Sequence, residues 1–489
     1  MLSSIDLAII VLYLVGVVIF GIRIAGKQHS TSDYFMGSRE LPWWAICFSI
    51  VATETSTLTI IGIPAVAYAG TWTFLQLTIG YLLGRSLVGW ILLPKYYSGE
   101  VGTAYRFLGE RFGHRLQSTA SATFLVTRLL ADGVRLFATA IPVKMIFTSL
   151  GFDFGYPVII LGIGVLTALY TYFGGLKAVV WMDVVQMGLY VFGAAVTMVI
   201  IGSSLDLRAA TAMLGEAGKL NVFDMTTNGG RILSEPYVFV TSVIGGAVFS
   251  MASHGTDQLI VQRLLACGSL NDARKALLGS ALVVMIQFIA FLGVGSLLWA
   301  YYGGASPEAM GLTRADEIFP RFIIEGLPVG LTGILIAGIL AAAMSTLSSS
   351  LNALASSSVL DLFGKRLSVL SDAERLRISR RLTLVWALVF VGFATLFEDQ
   401  QNPVVELGLS IASFTYGALL GGFALGLWNS RANETDAIAA FVVSVLTMVV
   451  LIFGIPGIWM APSVAWPWYT AIGTLVAVAT GSSLALRHS

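Results

Sequence analysis

A stripe of hydroxyl side chains lies inside a long apolar segment of this chain, where it could supply oxygen ligands to a cation. Between Ile339 and Ser358 the sequence reads ILAAAMSTLSSSLNALASSS. Residues three and four apart share one face of a helix, so a single face can hold Ala342, Ser345, Thr346, Ser348 and Ser349. Hard cations such as Na⁺ prefer oxygen ligands, whereas small residues can also simply let helices pack closely in a bilayer. The stripe by itself is consistent with both roles.

The composition indicates a membrane protein. Hydrophobic residues make up 56% of the 489 residues, charged residues make up 11%, and the mean hydropathy is +0.84. Soluble domains carry roughly 25% charged residues. The net charge of +1 predicts no nucleic-acid surface, and Cys47 and Cys267 give no disulfide framework or metal-ligand spacing. No CxxC, HExxH or GxxxxGKS/T motif occurs, so we expect no enzyme activity.

Thirteen apolar runs are long enough to cross a hydrocarbon core of ~30 Å. They lie at 5–24, 42–69, 72–95, 117–148, 157–175, 179–203, 237–264, 276–302, 329–360, 382–398, 404–428, 435–455 and 468–486. We therefore predict an all-α membrane protein with about 13 transmembrane helices, forming one domain over residues 1–489. The first run is not a cleaved signal, because no basic n-region precedes it and no A-x-A site follows.

The connections between the runs predict the orientation of the chain, because cytoplasmic connections are enriched in Lys and Arg. With the N-terminus outside, the cytoplasmic side holds nineteen of these residues, Arg263 among them, and the external connections hold five. The external five are Arg208, Lys219, Arg231, Arg314 and Arg321. We expect an integral multi-pass protein of a bacterial inner membrane, with the N-terminus outside and the C-terminus in the cytoplasm.

Two of the thirteen runs are interrupted by polar residues and glycine. The run at 42–69 contains ATETSTLT at 52–59, followed by Gly62 and Pro64, and the run at 237–264 contains SMASHGTDQ at 250–258. Such breaks are tolerated at bilayer mid-depth where they line a cavity. They open two corresponding five-helix units, at 42–203 and 237–428, with one extra helix before them at 5–24 and two after them at 435–486. Interrupted segments at matching positions predict an inverted-repeat transporter with a midplane site.

Ionisable residues also lie within the apolar runs, where each needs a partner or water. They are Glu54, Arg128, Asp132, Arg135, Asp183, His254 and Asp257. Arg128, Asp132 and Arg135 follow the spacing i, i+4, i+7 and so share one helix face. They form either a structural cluster that ties helices together, or a group in which Arg135 is free to bind a solute carboxylate with both arms of its guanidinium.

Several motifs resemble those of a known family, the sodium/solute symporters. They are DYFMGSR at 33–39, GGLKAVVWMD at 174–183, TDQ at 256–258 with VQR at 261–263, and the Ala/Ser run within 329–360. The resemblance covers about residues 5–430. It implies a LeuT-type fold of two inverted five-helix units with further helices outside them, and Na⁺ as the coupling ion.

The resemblance implies a main Na⁺ site where the interrupted run at 42–69 meets the hydroxyl stripe. Its ligands would be the carbonyls of Ala52, Thr55 and Ala342 and the hydroxyls of Ser345 and Thr346. Sialic-acid carriers of the family have a second Na⁺ site, and its matching positions here are Asp183, Ser345, Ser348 and Ser349. All four carry a suitable side chain, so a second ion is a further expectation.

A solute pocket is implied beside these ion sites. Its candidate residues are Glu54, Ser56, Thr59, Phe74, Thr78, Arg135, Ser250, Ser253 and His254. Ser253 and His254 differ from the pattern of sugar carriers, and Glu54 resembles the acidic residue of proline carriers. Arg135 favours a carboxylate-bearing solute, such as a monocarboxylate, an amino acid or a sialic acid.

We therefore predict a secondary active transporter that imports a small organic solute with Na⁺ by alternating access. Its partners would be the solute, Na⁺ and the lipid bilayer. The alternatives are a sugar or polyol Na⁺ symporter, a proton-coupled carrier in which Glu54 or His254 titrates, a solute sensor of the same fold, and a channel. The hydroxyl stripe favours Na⁺ over the proton, and the lack of a kinase or receiver region before Ser489 weighs against a sensor.

Overall fold

The structure, a computed structural model, describes residues 3–26, 28–98, 102–149, 151–396, 404–454 and 464–488. Within these ranges the secondary structure is helical, apart from one isolated bridge between Leu41 and Cys267. The α-helices, in chain order, are α1 (Ser4–Ala25), α2 (Thr31–Met36), α3 (Trp43–Glu54), α4 (Thr57–Ala69), α5 (Gln76–Ile91), α6 (Leu93–Tyr97), α7 (Arg106–Arg111), α8 (His114–Ser149), α9 (Tyr156–Ser204), α10 (Leu207–Glu216), α11 (Gly229–Ser234), α12 (Gly246–Gly255), α13 (Gln258–Leu265), α14 (Leu270–Tyr301), α15 (Ile318–Glu325), α16 (Leu331–Ser357), α17 (Gly364–Leu367), α18 (Asp372–Ala394), α19 (Val404–Trp428), α20 (Glu434–Phe453) and α21 (Pro467–Ala485).

The helices coincide with the thirteen predicted apolar runs, although fewer qualify as membrane spans by themselves. Seven helical segments of the described ranges are long and apolar enough to cross a membrane, and α3 with α4 forms an eighth that is bent by 66°. The helix α8 does not qualify, since it carries Arg128, Asp132 and Arg135 within its apolar sequence. The all-helical class is confirmed, and thirteen crossings stay a prediction.

The first predicted interruption is a break between α3 and α4. The Ser56 N–H bonds the carbonyl of Glu54 at 3.1 Å, instead of continuing the helix by bonding that of Ala52. Likewise the Thr59 N–H bonds the carbonyl of Ser56 at 2.9 Å, instead of that of Thr55. The break therefore releases the carbonyls of Ala52 and Thr55 from the helical ladder, which makes both available to a ligand.

The second predicted interruption is a break between α12 and α13. The helix α12 ends at Gly255, and Asp257 begins α13 as its cap by accepting the Leu259 N–H at 2.8 Å. A carboxylate is favourable at a helix N-terminus because it meets the unpaired N–H groups and the positive end of the helix dipole. The break thus places one charged side chain of the TDQ motif inside the protein.

The predicted runs at 157–175 and 179–203 form one helix, α9, which is broken at Gly175. Gly175 has φ 55° and ψ −156°, a conformation that favours glycine. A Cβ atom there would lie 2.4 Å from the carbonyl oxygen of Tyr34. Glycine is therefore required at this position, both for its backbone angles and for the close approach of the segment that contains Tyr34.

The hydroxyl stripe lies in the interior of the molecule. Residues 335–359 of α16 and its continuation are all buried, because α16 packs against α9, α1, α8 and α18. Large apolar side chains instead point outward on other helices, with Leu12, Leu388 and Leu475 each about 70% exposed (71%, 72% and 69%). An apolar exterior around a hydroxyl-rich centre is the arrangement expected of a polytopic membrane protein.

Candidate ion and solute sites

A cavity of about 100 Å³ lies beside the two helix breaks. Its wall includes eight of the nine predicted solute residues, namely Glu54, Ser56, Thr59, Phe74, Arg135, Ser250, Ser253 and His254. Thr78 is buried but lies outside this wall, and its hydroxyl donates at 2.7 Å to the carbonyl of Leu75, the residue just before its helix. The rest of the wall is mostly apolar and includes Leu58, Ile63, Tyr81, Phe249, Ile260, Val284 and Phe288.

Glu54 is neutralised by a basic partner that sequence reasoning missed. Arg85 of α5 is fully buried, and its Nη2 lies 2.5 Å from Glu54 Oε1. The same oxygen lies 2.6 Å from His254 Nε2, while His254 Nδ1 lies 2.8 Å from the Ser253 hydroxyl. Glu54 Oε2 makes no hydrogen bond within the protein. The glutamate therefore keeps one acceptor oxygen for a further donor.

The cluster of Arg128, Asp132 and Arg135 is joined by residues of other helices. Arg128 bonds Asp257 at the cap of α13, with its Nε 3.1 Å from Asp257 Oδ2. The Tyr416 hydroxyl of α19 donates to the same oxygen at 2.6 Å. Arg128 and Asp257 are both buried, so this pair connects α8 to the second helix break without exposing either charge.

Arg128 and Arg135 both line the cavity, and Arg135 is the more exposed of the two. Its Nη1 lies 3.1 Å from Asp132 Oδ1, and the other Asp132 oxygen accepts from the Ser350 hydroxyl. The Arg135 side chain is 15% exposed, against 6% for Arg128 and 1% for Asp132. Its Nε makes no hydrogen bond within the protein. The two hypotheses for Arg135 are thus compatible, because it is tied to Asp132 and still presents donors to a solute.

Of the residues predicted for the main Na⁺ site, Ser345 of α16 meets Ala52 at the α3–α4 break. The Ser345 hydroxyl lies 3.4 Å from the Ala52 carbonyl oxygen, and the Thr346 hydroxyl lies 3.2 Å from that of Ala342. Thr57, just after the break, donates to the Ile339 carbonyl at 3.2 Å and holds α4 against α16. A hydroxyl of α16 and a carbonyl of α3 therefore lie next to each other in the interior, which suits an ion with oxygen ligands. The Thr346–Ala342 bond lies within α16, and the Thr55 hydroxyl donates to Gln287 of α14 at 3.1 Å.

The residues predicted for the second Na⁺ site surround a buried guanidinium. Asp183 is fully buried, and its Oδ1 accepts from the Ser345 hydroxyl at 2.6 Å. Its Oδ2 lies 3.3 Å from Arg263 Nη2 and accepts from Ser49 at 2.5 Å. Arg263 also donates to the Ser349 hydroxyl. An ion at this site would have to share Asp183 with Arg263.

Ser348, the remaining residue predicted for the second site, lies on the same stretch of α16. Its hydroxyl donates to the Ser345 carbonyl at 3.0 Å. The Tyr170 hydroxyl donates to the Met344 carbonyl nearby, also at 3.0 Å. Ser348 is therefore buried beside Ser345, and the Tyr170 hydroxyl lies next to it.

Arg85 and Arg263 were both accessible to sequence reasoning. Arg85 is the single basic residue within the apolar run at 72–95 before its terminal Lys95, and a lone charge in such a run requires a partner. Arg263 was counted among the cytoplasmic loop cations. That assignment is wrong, since Arg263 lies in α13 with no exposed surface. The charge count changes to eighteen against five, which leaves its direction the same.

Comparison with known proteins identifies the family of this arrangement. The sodium:solute symporter family matches residues 34–444. The chain is 29% identical over 481 residues to the sodium/sialic acid symporter NanT of Aliivibrio fischeri, covering 96% of this chain and 90% of that protein. It is also 29% identical over 429 residues to sodium-coupled monocarboxylate transporter 1 of Mus musculus, covering 86% of this chain and 68% of that protein.

Solved structures show the same fold. A Na⁺-coupled sialic acid symporter, in a substrate-bound outward-open state, superposes with a TM-score of 0.84 at 25% identity and covers 100% of this chain and 98% of its own. The nucleobase-cation symporter Mhp1 shares the fold at a TM-score of 0.54 and 16% identity. The family match spans most of the chain, and released carbonyls and hydroxyls meet beside a cavity. The chain accordingly belongs to the sodium:solute symporter family, whose members are multi-pass membrane transporters that couple the movement of a small solute to Na⁺.

Proposed function

We propose that this protein imports a small carboxylate-bearing solute with Na⁺ by alternating access. The main support for this proposal is the α3–α4 break, where residues proposed to bind the ion alternate in the sequence with residues that line the solute cavity. The break releases the carbonyls of Ala52 and Thr55, which we assign to the ion site, while Glu54, Ser56 and Thr59 line the cavity. An ion that orders this break also orders the solute wall, and the two binding equilibria are thereby coupled.

The cavity wall supports a carboxylate as the recognised group of the solute. Arg135 presents a guanidinium with a free Nε, and a planar guanidinium binds carboxylates with two parallel hydrogen bonds. Phe74, Phe249 and Phe288 suit an apolar body. The names of two relatives support the same class, because sialic acid and monocarboxylates both carry a carboxylate.

The membrane arrangement follows the same proposal. We place residues 42–203 and 237–428 as two inverted five-helix repeats, with thirteen crossings in total, the N-terminus outside and the C-terminus in the cytoplasm of a bacterial inner membrane. The two broken spans open the two units, which supports the repeat.

The Na⁺ gradient supplies the free energy for uphill transport. One Na⁺ that enters down a potential of ~100 mV contributes about 2.3 kcal/mol, and a tenfold Na⁺ gradient adds about 1.4 kcal/mol. Two ions could thus drive roughly 7 kcal/mol of uphill transport.

Loss of the Thr346 hydroxyl is expected to weaken Na⁺ binding about tenfold, because one of five proposed oxygen ligands disappears. Thermal unfolding of the purified protein in increasing NaCl, with choline chloride holding ionic strength constant, gives the Na⁺ half-saturation. Thr346→Ala is more selective than Ser345→Ala, since Ser345 also donates to Asp183. Ser358→Ala is the matched control, because that hydroxyl lies further along the stripe and bonds Trp386. Unchanged half-saturation in both Thr346→Ala and Ser345→Ala would refute the site.

Arg135→Lys is expected to raise the solute KM about tenfold and to leave the Na⁺ half-saturation unchanged. Lysine keeps the positive charge near Asp132 but lacks the planar fork that binds a carboxylate. The solute is first found by a thermal-shift screen of sugars, amino acids and carboxylates with and without Na⁺, and uptake is then measured in proteoliposomes. Lys144→Ala serves as control, because its ammonium lies over the Tyr156 ring, away from the cavity. Normal uptake by Arg135→Lys, or a neutral sugar as best ligand, contradicts the carboxylate assignment.

A further inference from the structure

Asp361 is a buried carboxylate that belongs to neither the ion sites nor the solute cavity described above. It lies on the π-helical turn Ser358–Leu362, which continues α16, and only 1% of its surface is exposed. Its Oδ1 accepts from Thr103 Oγ1 at 2.6 Å and from Gln117 Nε2 at 2.8 Å. π-Helical turns are rare and occur frequently at functional sites. This turn directs a carboxylate into the interior at the end of the helix that carries the Na⁺ ligands.

Three oxygens at this location form no hydrogen bond of regular geometry, although the two hydroxyls among them lie within reach of the Asp361 carboxyl. They are Asp361 Oδ2, Ser121 Oγ and Ser357 Oγ, and all three are buried. Ser121 and Ser357, each without exposed surface, both face the Asp361 carboxyl. The Tyr105 hydroxyl, which is likewise buried and unpaired, lies nearby. Buried polar atoms are nearly always paired, so a group of convergent unpaired oxygens has the composition of a cation site.

The chain itself supplies no counter-charge to Asp361 in the ranges that the structure describes. The side chains facing the carboxyl are Thr103, Gln117, Ser121 and Ser357, and none is basic. An isolated buried carboxylate is costly. A small cation would both balance this charge and bind all three unpaired oxygens, whereas a proton on Oδ2 could be shared with only one of the two serine hydroxyls.

We infer that Asp361, Ser121 and Ser357 bind a small monovalent cation, with Na⁺ as the ion that suits a carboxylate and hydroxyl ligands. Thr103 and Gln117 hold the carboxyl in place through its other oxygen. Asp361 follows Ser345 by sixteen positions on the same helix, which is roughly 24 Å along its axis. The site is therefore separate from the proposed Na⁺ sites at the helix break.

A cation at this position would join three elements of the chain. Asp361 continues α16, Gln117 and Ser121 lie on α8, and Thr103 lies in the segment before α7. The neighbouring Ala104 N–H donates to Gln258 Oε1 of α13 at 2.8 Å, so the second broken span is linked to the same place. Occupancy of the site is expected to stabilise the conformation in which these elements are packed together.

Equilibrium binding of radiolabelled Na⁺ to the purified full-length protein tests this inference. Asp361→Asn is expected to bind one Na⁺ fewer per chain than the wild type while it retains, with unchanged affinity, the Na⁺ that Thr346→Ala binds more weakly. The double variant is expected to show both effects. Asp372→Asn, an exposed carboxylate of α18, is the matched control and should bind as the wild type does. An equal number of Na⁺ ions in Asp361→Asn and wild type would overturn the inference.

Milder variants keep the inference testable if Asp361→Asn does not fold. Ser121→Ala and Ser357→Ala each remove one oxygen and leave the carboxylate in place, and each is expected to weaken the same Na⁺ about tenfold. Unchanged Na⁺ affinity in both serine variants would show that the carboxyl is held only by hydrogen bonds. Because Thr346→Ala reports on a different ion, a failure here is distinguishable from a failure of the proposed transport function.

Discussion

Asp183→Asn is expected to lower the free energy of unfolding by about 3–5 kcal/mol, because it leaves a buried guanidinium without its counter-charge. Asp183 and Arg263 have no exposed surface, so water cannot replace the lost carboxylate. The same variant removes the carboxylate of the proposed second Na⁺ site. We therefore expect the Hill coefficient for Na⁺, above one in the wild type, to fall towards one in any Asp183 variant that folds.

A double variant separates these two consequences of losing Asp183. Asp183→Asn combined with Arg263→Gln removes both charges, so it should regain most of the lost stability while its Hill coefficient stays as low as that of Asp183→Asn. The same Asp-to-Asn change at Asp372, whose exposed carboxylate lies 3.3 Å from Arg375, should cost less than about 1 kcal/mol. Thermal unfolding in detergent measures the stability. A wild-type Hill coefficient of one, with a charge-to-solute ratio of one Na⁺, excludes a second site.

Arg85→Gln is expected to destabilise the protein by a similar amount and to abolish solute uptake. Arg85 donates to Glu54 Oε1 and to the Ser280 hydroxyl, both at 2.5 Å, and so fixes the glutamate at the cavity wall. Without it, Glu54 retains only His254 as a partner. The carboxylate then either stays uncompensated or changes position, and in both cases the polar end of the solute loses its acceptor.

The effect of Arg85 on uptake can be distinguished from its effect on folding. Glu54→Gln with Arg85→Gln leaves no unpaired charge, so we expect this double variant to recover stability but not solute affinity. Arg106→Gln is the matched control, since its partner Glu110 lies 2.9 Å away and both side chains are about half exposed (52% and 54%). Uptake and thermal unfolding are measured on the same preparations. Wild-type uptake by Arg85→Gln would show that Glu54 takes no part in solute binding.

The arrangement of charges accounts for how a polar site is kept inside a membrane protein. Glu54 is matched by Arg85, Asp183 by Arg263, and Arg128 by Asp257. Each pair joins different helices, so a charge needed at the site also holds the helices around it. Arg128 also lines the cavity but is paired with Asp257, so the more exposed Arg135 is the more accessible cation for a solute anion.

The sequence by itself determined the class of the protein, its two helix breaks and most of the residues around them. The composition and the length of the apolar runs predict membrane-spanning helices directly, because a helix that crosses the lipid needs apolar residues over a fixed length. The breaks near Thr55 and Asp257 could also be predicted from the sequence, since polar residues and glycine weaken a membrane helix at the position where they occur. The hydroxyl stripe from Ser345 onward followed from helical periodicity alone.

Only the tertiary structure decided which buried groups meet. Glu54 pairs with Arg85, 31 positions away, and Arg263 with Asp183, 80 positions away. Nothing in the local sequence selects these partners, because pairing depends on which faces of separate helices pack together and on how far each is rotated about its axis. The same reason explains why Arg263 was assigned to a loop and why Thr78 was assigned to the cavity wall. Whether a residue is helical depends mainly on its neighbours in sequence, whereas the partners of its side chain depend on helices that are distant in sequence.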